Sequence, residues 1–198
     1  MTSLGDLCQS KDDWRRTLLE RRRSLPETTR SADSSGLCAG VLRWIRDQGF
    51  TTVCAYVPVG EEPGTPELLD ELRAAGCRVL LPIVVRRSPL DWAEYTGPDS
   101  LEPAGYGLLE PSGPRLGPEG VGLAEAILVP ALAVDRRGVR LGRGAGFYDR
   151  SLPLASPDAA LLGIVRDEEF VDELPGEDHD VRMRAVLTPQ RGVTTLPV

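Results

Sequence analysis

The chain has 198 residues, 41% of them hydrophobic, and 23 basic against 30 acidic side chains give a net charge of −7. A compact chain of this length buries roughly 70% of the surface that its unfolded form exposes, so it needs no disulfide or metal to form a core. The acidic balance argues against a broad surface for nucleic acid or anionic membranes, although a local basic pocket is compatible with it. We therefore expect no nucleic-acid partner.

The basic residues are unevenly divided, with 22 arginines and a single lysine, Lys11. The chain also has one histidine, His179. Mechanisms that require two histidine ligands are therefore excluded, and so is a Schiff-base lysine other than Lys11.

The cysteines and the apolar runs indicate the compartment. Four cysteines occur without a C-x-x-C pair, which is typical of neither a zinc site nor a disulfide framework: Cys8, Cys38, Cys54 and Cys77. The first residues lack the basic-then-apolar pattern of a signal peptide. No apolar run approaches the roughly 18 residues of a membrane helix. We expect a cytoplasmic protein with no membrane partner.

Two helices are predicted at the start of the chain. Ser10 is a plausible N-cap for the first, which ends at Ser24 because Pro26 follows. The second is predicted over 31–48 from apolar residues at helical spacing, with Gly49 just after its end.

A strand, a helix and a second strand follow within about 35 residues. The apolar run Thr52–Val57 predicts a buried strand, Thr65–Ala75 a helix, and Arg78–Val85 the next strand. Such a β-α-β unit makes a parallel sheet the default architecture.

The rest of the chain alternates between a loop and strands. The Pro- and Gly-rich segment Ser88–Gly122 predicts one short strand, Leu90–Tyr95, and a long functional loop. Further strands are predicted over Ala126–Val134, Ala159–Val165 and Arg184–Leu187. We expect residues 1–198 to form a single α/β domain with a mostly parallel sheet.

The segment Asp135–Arg150 carries the clearest chemical signal. Glycines allow backbone N–H groups to approach an anion, and arginines donate in a fork that matches phosphate oxygens. The segment links a strand to a predicted helix start, where open α/β sheets bind ligands. It therefore predicts a polyphosphate site. Its glycines and arginines are Gly138, Gly142, Gly144, Gly146, Arg136, Arg137, Arg140, Arg143 and Arg150.

Other interpretations of this segment were compared. A tight turn with solvated arginines is the structural alternative. The segment is not a Walker A loop, because no Gly-Lys-Ser/Thr follows, and Gly142–Gly146 has the pattern G-x-G-x-G, which differs from the dinucleotide fingerprint G-x-G-x-x-G.

Arg140–Asp149, preceded by Val129–Asp135, resembles the signature of the 5-formyltetrahydrofolate cyclo-ligases, also called methenyltetrahydrofolate synthetases. Further segments resemble this family in the same order along nearly the whole chain: Lys11 with Arg15, Glu62 with Thr65, Tyr106–Pro111, and Leu174–Asp180. The glycine–arginine signature is the specific part of the resemblance.

The resemblance implies a three-layer, NagB/RpiA/CoA-transferase-like α/β fold and an enzyme that uses ATP and Mg²⁺. It would convert 5-formyltetrahydrofolate into 5,10-methenyltetrahydrofolate, with release of ADP and phosphate. The formamide oxygen is a poor leaving group, so ATP would phosphorylate it before N10 of the folate closes the ring. Such a reaction needs positioning and charge neutralisation more than a protein nucleophile. A monomer is expected.

The resemblance also implies roles for individual residues. The ATP phosphates would be held by Lys11, Arg15, Arg140, Gly142, Arg143, Gly144, Ala145, Gly146, Phe147 and Tyr148, with Arg143 and Tyr148 as the catalytic groups. Asp149 would hold Mg²⁺. Glu62 would hydrogen-bond the pterin or formyl end of the folate, and Tyr106 and Phe147 would pack on its flat rings.

Several of these residues also have a purely structural interpretation. Lys11 and Arg15 would form a solvated helix face, Glu62 would be a surface charge beside Glu61, and Tyr106 would anchor a loop. A structural hydrogen bond is the interpretation we favour for His179. The tryptophans are assigned to full or partial burial: Trp14, Trp44 and Trp92.

The chain departs from the family pattern at three positions. Arg184 stands four residues after Asp180, where the family has an acidic residue thought to help the metal site. Ala145 replaces Lys or Gly, and Phe147 replaces the first tyrosine of a pair. These changes leave open a catalytically impaired member that binds folate or nucleotide, or an ATP-dependent enzyme with another substrate. Arg184 pointing into the pocket would favour the impaired member.

Overall fold

The computed structural model describes residues 10–177 and 180–197, which begin with the helices α1 (Lys11–Ser24) and α2 (Glu27–Gln48). Ser10 caps α1 as predicted, since its Oγ accepts a hydrogen bond from the Asp13 N–H at 3.1 Å. The helix α2 starts four residues before the predicted Ser31. Glu27 lies in its first turn, where an acidic side chain favours the helix dipole, and forms an ion pair with Arg30.

The other elements are short. In chain order they are β1 (Thr52–Cys54), α3 (Glu67–Ala74), β2 (Arg78–Ile83), β3 (Asp91–Glu94), β4 (Leu101–Pro103), β5 (Leu109–Pro111), β6 (Ala126–Pro130), β7 (Ala133–Asp135), β8 (Arg140–Leu141), α4 (Phe147–Ser151), β9 (Ala160–Ile164), β10 (Phe170–Val171), β11 (Ala185–Thr188) and β12 (Gly192–Thr195). Turns of 3₁₀ helix cover Pro98–Ser100, Gly105–Gly107, Pro118–Leu123, Leu152–Leu154 and Asp167–Glu169. None of the helices in these ranges is both long enough and apolar enough to cross a bilayer.

The main sheet has seven strands in the order β12-β11-β9-β6-β1-β2-β3. Its five inner strands are parallel, and only the edge strands β12 and β3 are antiparallel to their neighbours. The expectation of an α/β fold with a mostly parallel sheet is confirmed.

Both faces of this sheet are covered. Along β6, Ala126 and Leu128 pack on the side of α2 and α3, whereas Ile127 and Val129 pack on the opposite side. A strand buried on both faces needs a continuous apolar run, as β6 has. The opposite layer is built from 3₁₀ turns and the short helix α4, so it lacks long helices.

The prediction of one strand over 126–134 is wrong, because the chain divides it into β6 and β7. Pro130 has no N–H with which to continue the ladder, and the chain leaves the main sheet after it. The strand β7 then joins a second sheet in the order β10-β7-β8. Trp14 and Leu18 of α1 pack on this second sheet. The bend brings the glycine-rich segment beside the end of β6.

Other predicted bounds were too long. The strand predicted to end at Val57 ends at Cys54, and the one predicted to end at Val85 ends at Ile83. The segment after Ser88 contains β3, as predicted, but also the pair β4–β5, which the sequence analysis treated as loop.

Candidate functional site

A cavity of about 520 Å³ opens at the carboxyl ends of β1, β2 and β6. Tyr56 and Val57 line it just after β1, Val84 just after β2, and Pro130 and Ala131 at the end of β6. Ligands in open α/β folds bind at this edge of the sheet, where loops meet above the strand ends.

The glycine-rich segment forms one wall of the cavity. Its lining members are Arg140, Gly142, Arg143, Gly144, Ala145, Gly146, Phe147, Tyr148 and Asp149. The Arg140 side chain is only 7% exposed; it forms an ion pair with Asp149, and its guanidinium lies 5.7 Å from the centroid of the Tyr148 ring. A desolvated guanidinium at the wall of a cavity is well suited to hold a phosphate.

A carboxylate faces this wall from the loop after β1. Glu62 accepts a hydrogen bond from the Val59 N–H at 3.0 Å with one oxygen, and its other oxygen lies 3.1 Å from Nε of Arg143. The family resemblance implies different substrates for these two residues, ATP for Arg143 and the folate for Glu62. The structure places them in direct contact at the cavity.

The loop between β8 and α4 needs its glycines for two reasons. Gly144 and Gly146 have positive φ angles of 97° and 70°, which other residues rarely adopt. A Cβ at Gly142 would lie 2.7 Å from Nη1 of Arg140, and one at Gly144 would lie 3.3 Å from Cζ of Arg15. The loop is thus packed closely against arginine side chains, and larger residues at these positions would displace them.

Arg15 and Lys11 of α1 do not line the cavity. Arg15 donates from Nε to the Gly142 carbonyl at 3.1 Å and supports the loop from outside. Lys11 Nζ lies 3.0 Å from Glu177 and 3.5 Å from Asp180. Burial would lower the pKa of Lys11, but these two acidic partners outweigh it and raise the pKa, so the ammonium stays charged.

Tyr148 brings a hydroxyl to the cavity wall. The hydroxyl is buried and makes no hydrogen bond with any residue that the structure describes. Burial, reinforced by Cys54 and Glu62, raises the pKa of Tyr148, so the phenol stays protonated. A buried donor without a partner is free to bond a ligand.

Tyr106 stands at the rim of the cavity and is 74% exposed. Its φ is 64°, and among the described residues the only other non-glycine residue with a positive φ is Arg87, at 57°. Arg87 lies on the turn between the lining residues Val84 and Leu90. Left-handed backbone at such residues stores strain, which is common where loops contact ligands.

One carboxylate at the cavity, that of Asp149, is available for a metal ion. Within the part of the chain that the structure describes, no three His, Cys, Asp or Glu side chains cluster in a way that could hold a metal. Asp149, which is 61% exposed at the cavity, offers a single carboxylate beside Arg140. This donor set fits Mg²⁺ that arrives with phosphate oxygens and keeps several waters, and it does not fit an all-protein cage.

Arg184 does not enter the cavity. Its guanidinium hydrogen-bonds the carbonyl of Pro157, which precedes β9, while Arg184 itself precedes β11. These strands run parallel to β6, so Arg184 lies at the edge of the sheet opposite the cavity. The geometry that would have favoured an impaired enzyme is therefore not observed. His179 lies outside the described residues.

Three buried charged residues in or next to the cavity wall were not predicted from the sequence: Arg22, Arg166 and Glu169. One signal could have identified Arg22, because it follows Trp14 and Leu18 at intervals of four on the buried side of α1. Arg166 and Glu169 cap a short 3₁₀ turn together, but their other partners, Asp33 and Arg22, are distant in sequence and are not indicated by any local pattern.

Comparisons with known proteins agree with this geometry. The profile of the 5-formyltetrahydrofolate cyclo-ligase family matches residues 8–189. The chain is 50% identical over 193 residues to the 5-formyltetrahydrofolate cyclo-ligase of Mycolicibacterium smegmatis, covering 95% of this chain and 98% of the relative. It is 30% identical over 143 residues to the enzyme of the same name from Escherichia coli, covering 71% and 79% of the two chains.

Solved structures show the same fold. The NMR structure of Aquifex aeolicus 5,10-methenyltetrahydrofolate synthetase superposes with a TM-score of 0.77 at 25% identity, over 95% of this chain and 93% of that one. The Mycoplasma pneumoniae 5,10-methenyltetrahydrofolate synthetase gives 0.73 at 18% identity, over 90% and 98%. Since the family match spans most of the sequence and one relative is half identical, the chain belongs to the 5-formyltetrahydrofolate cyclo-ligase family of enzymes.

Proposed function

We propose that this enzyme converts 5-formyltetrahydrofolate into 5,10-methenyltetrahydrofolate in an ATP- and Mg²⁺-dependent reaction. The observation that carries the proposal is the contact between the arginine wall and Glu62, 3.1 Å apart at one cavity. A polyphosphate and a reduced folate would meet where these two groups meet.

The arginines and the loop would bind ATP. Arg140 and Arg143 supply forked donors for phosphate oxygens, and Arg15 keeps the loop in place through the Gly142 carbonyl. The reaction transfers the terminal phosphoryl group to the formyl oxygen, and ADP leaves. Positioning and charge neutralisation account for most of the catalysis of such transfers.

Glu62 and the apolar lining would bind the folate. Val57, Val59, Leu90 and Phe147 present flat apolar surface at the cavity, which suits a pterin ring. Glu62, fixed by the Val59 N–H, would accept hydrogen bonds from the polar ring edge or orient the formyl group. N10 then attacks the activated carbon, and the former formyl oxygen leaves with the phosphate.

Tyr148 and Asp149 would act beside the phosphates. The protonated Tyr148 hydroxyl can donate a hydrogen bond to an oxygen that gains negative charge during transfer, as Arg143 can. Asp149, together with phosphate oxygens, would hold Mg²⁺, whose contribution is to neutralise phosphate charge.

The direct test is to incubate the protein with 5-formyltetrahydrofolate, ATP and Mg²⁺ and to follow the absorbance of the methenyl product. We expect product only when all three are present. Binding of nucleotide without product would overturn the proposal and favour a folate- or nucleotide-binding protein without turnover. ATP hydrolysis that depends on another acceptor would favour a different substrate.

The Lys11→Ala variant tests the assignment of Lys11 to ATP. In the proposed role Lys11 would exchange its ion pairs with Glu177 and Asp180 for a phosphate oxygen of the bound ATP. We therefore expect the KM for ATP to rise about tenfold in the variant, with little change in the KM for the folate. Arg21→Ala, an exposed cation on the same helix, is the matched control. An unchanged KM for ATP would show that Lys11 serves only its ion pairs with Glu177 and Asp180.

A further inference from the structure

Three side chains hold the loop that carries Glu62 by donating hydrogen bonds to backbone carbonyls of the loop. The Tyr56 hydroxyl donates to the Pro63 carbonyl at 2.8 Å, and the Ser34 hydroxyl donates to the Gly64 carbonyl at 3.2 Å. The Glu61 carbonyl, directly before Glu62, accepts from Nη1 of Arg166 at 3.2 Å. Of these three anchors, only the one next to Glu62 comes from a charged side chain.

Arg166 is 2% exposed and is fixed in turn by two acidic residues. Its Nε donates to Asp33 of α2 at 3.1 Å, and its backbone N–H donates to Glu169 at 2.8 Å. A buried guanidinium is retained in a fold only when such partners compensate for its lost hydration. Its position is therefore fully determined by the surrounding structure.

The same buried network continues to the other side of the cavity. Glu169 accepts from Arg22 through both oxygens, at 2.6 and 2.8 Å, and Arg22 donates to the Ala131 carbonyl at 2.7 Å. Glu62 and Ala131 both line the cavity. Four charged side chains, Asp33, Arg166, Glu169 and Arg22, thus connect two parts of the cavity wall.

We propose that Arg166, held by Asp33, is a positioning residue that fixes Glu62 at the cavity and thereby sets the affinity for the reduced folate. The inference depends on the proposed function, in which Glu62 contacts the folate. Buried ion pairs contribute little net stability, because desolvation offsets their attraction, whereas they restrict geometry strongly. A misplacement of about 1 Å at a substrate-binding group is enough to weaken the productive complex many-fold.

The mildest test is Asp33→Asn, which keeps the side-chain shape and removes the charge that holds Arg166. We expect the KM and the Kd for 5-formyltetrahydrofolate to rise about tenfold, whereas the KM for ATP stays within about twofold. In this variant Arg166 keeps its contacts with Glu169 and with the Glu61 carbonyl, and the amide oxygen can still accept from its Nε, so we expect the fold to be retained. Asp47→Asn, an exposed position on the same helix, is the matched control.

A second set of variants separates positioning from folding. Arg166→Met alone would leave the largely buried Asp33 carboxylate without its partner. The double variant Arg166→Met/Asp33→Asn removes both members of the ion pair and so leaves no unpaired buried charge. We expect the double variant to melt within about 5 °C of the parent and still to bind folate about tenfold more weakly. Arg166→Lys keeps the positive charge, so we expect it to bind folate more tightly than the double variant. It should remain weaker than the parent, because one ammonium cannot reach both Asp33 and the Glu61 carbonyl with the geometry of a guanidinium.

Binding of 5-formyltetrahydrofolate without ATP, measured by calorimetry, distinguishes the two levels of the proposal. The same titration is repeated with a non-hydrolysable ATP analogue present; if the parent protein binds this folate in neither condition, the proposed function fails, and the role of Arg166 fails with it. If the parent binds but the folded double variant binds equally well, only the role of Arg166 is overturned. An equal rise in the KM for ATP would also overturn it, since it would indicate a general loss of structure.

Discussion

Replacement of Arg140 by methionine is expected to lower kcat/KM for ATP by about 100-fold, with the fold intact. The Arg140 guanidinium is desolvated at the cavity wall, where it pairs with Asp149 and lies over the Tyr148 ring. Removal of one preorganised charged donor from a transition state of phosphoryl transfer has an effect of this order. Steady-state kinetics with ATP varied at saturating 5-formyltetrahydrofolate measures the effect.

Two further variants test whether the effect depends on the geometry and the position of Arg140. Arg140→Lys keeps the charge but loses the forked geometry, so we expect about a tenfold loss. Arg136→Met, in the same segment, removes an exposed cation that pairs with Asp172 outside the cavity, and its activity should stay near that of the parent. Equal activity of the Arg140→Met and Arg136→Met variants would contradict the assignment of Arg140 to the phosphates.

The largest expected loss of stability follows from Asp135→Ala. The Asp135 side chain is completely buried and accepts hydrogen bonds from the N–H groups of Arg137, Val139 and Leu174 at 2.8, 2.9 and 3.0 Å. Alanine would leave three donors without this partner, each at about 1 to 3 kcal/mol. Since the contact of the Arg137 N–H is only partly buried and water can reach it, we expect the lower part of this range, a fall of about 3 to 5 kcal/mol in the free energy of unfolding. For a chain of this length, Tm should drop by about 10 °C in calorimetry.

The controls for Asp135 are a conservative change and an exposed aspartate. Asp135→Asn keeps one acceptor oxygen and should lose roughly half as much stability as Asp135→Ala. Asp172→Ala removes an exposed surface partner of Arg136 and should change Tm by about 1 °C at most. If Asp135→Ala melted like Asp172→Ala, the loop after β7 would not depend on this carboxylate.

Features encoded by adjacent residues were predicted from the sequence. The N-cap at Ser10 and the left-handed Gly49 after α2 depend on neighbours within a turn, and both are observed. The parallel sheet followed from apolar runs that alternate with helices. The segment Asp135–Arg150 was recognised because its composition is unusual over a short span. Its residues Gly142–Asp149 line the cavity, and the polyphosphate site there stays a prediction.

Features that depend on distant partners were not predicted. Arg22 and Glu169 are 147 positions apart, and neither residue reveals its partner in its own surroundings. The split of the strand at Pro130 was missed because the apolar run continues through it to Val134. The hydrophobic pattern alone does not show which sheet a strand joins. The missing N–H of Pro130 was the better signal, because proline cannot donate to a strand ladder.

The Arg143–Glu62 ion pair has a consequence for how the two substrates affect each other's binding. In the free enzyme each of these groups neutralises the other. Under the proposed function Arg143 would serve the phosphates and Glu62 the folate, so neither would be fully available to its substrate. A phosphate that draws Arg143 away would release Glu62 for the folate, and a folate that engages Glu62 would release Arg143 for the phosphate. By thermodynamic reciprocity each substrate would then increase the affinity for the other by the same factor. In the absence of substrates, the two charges at the site would thus remain paired with each other.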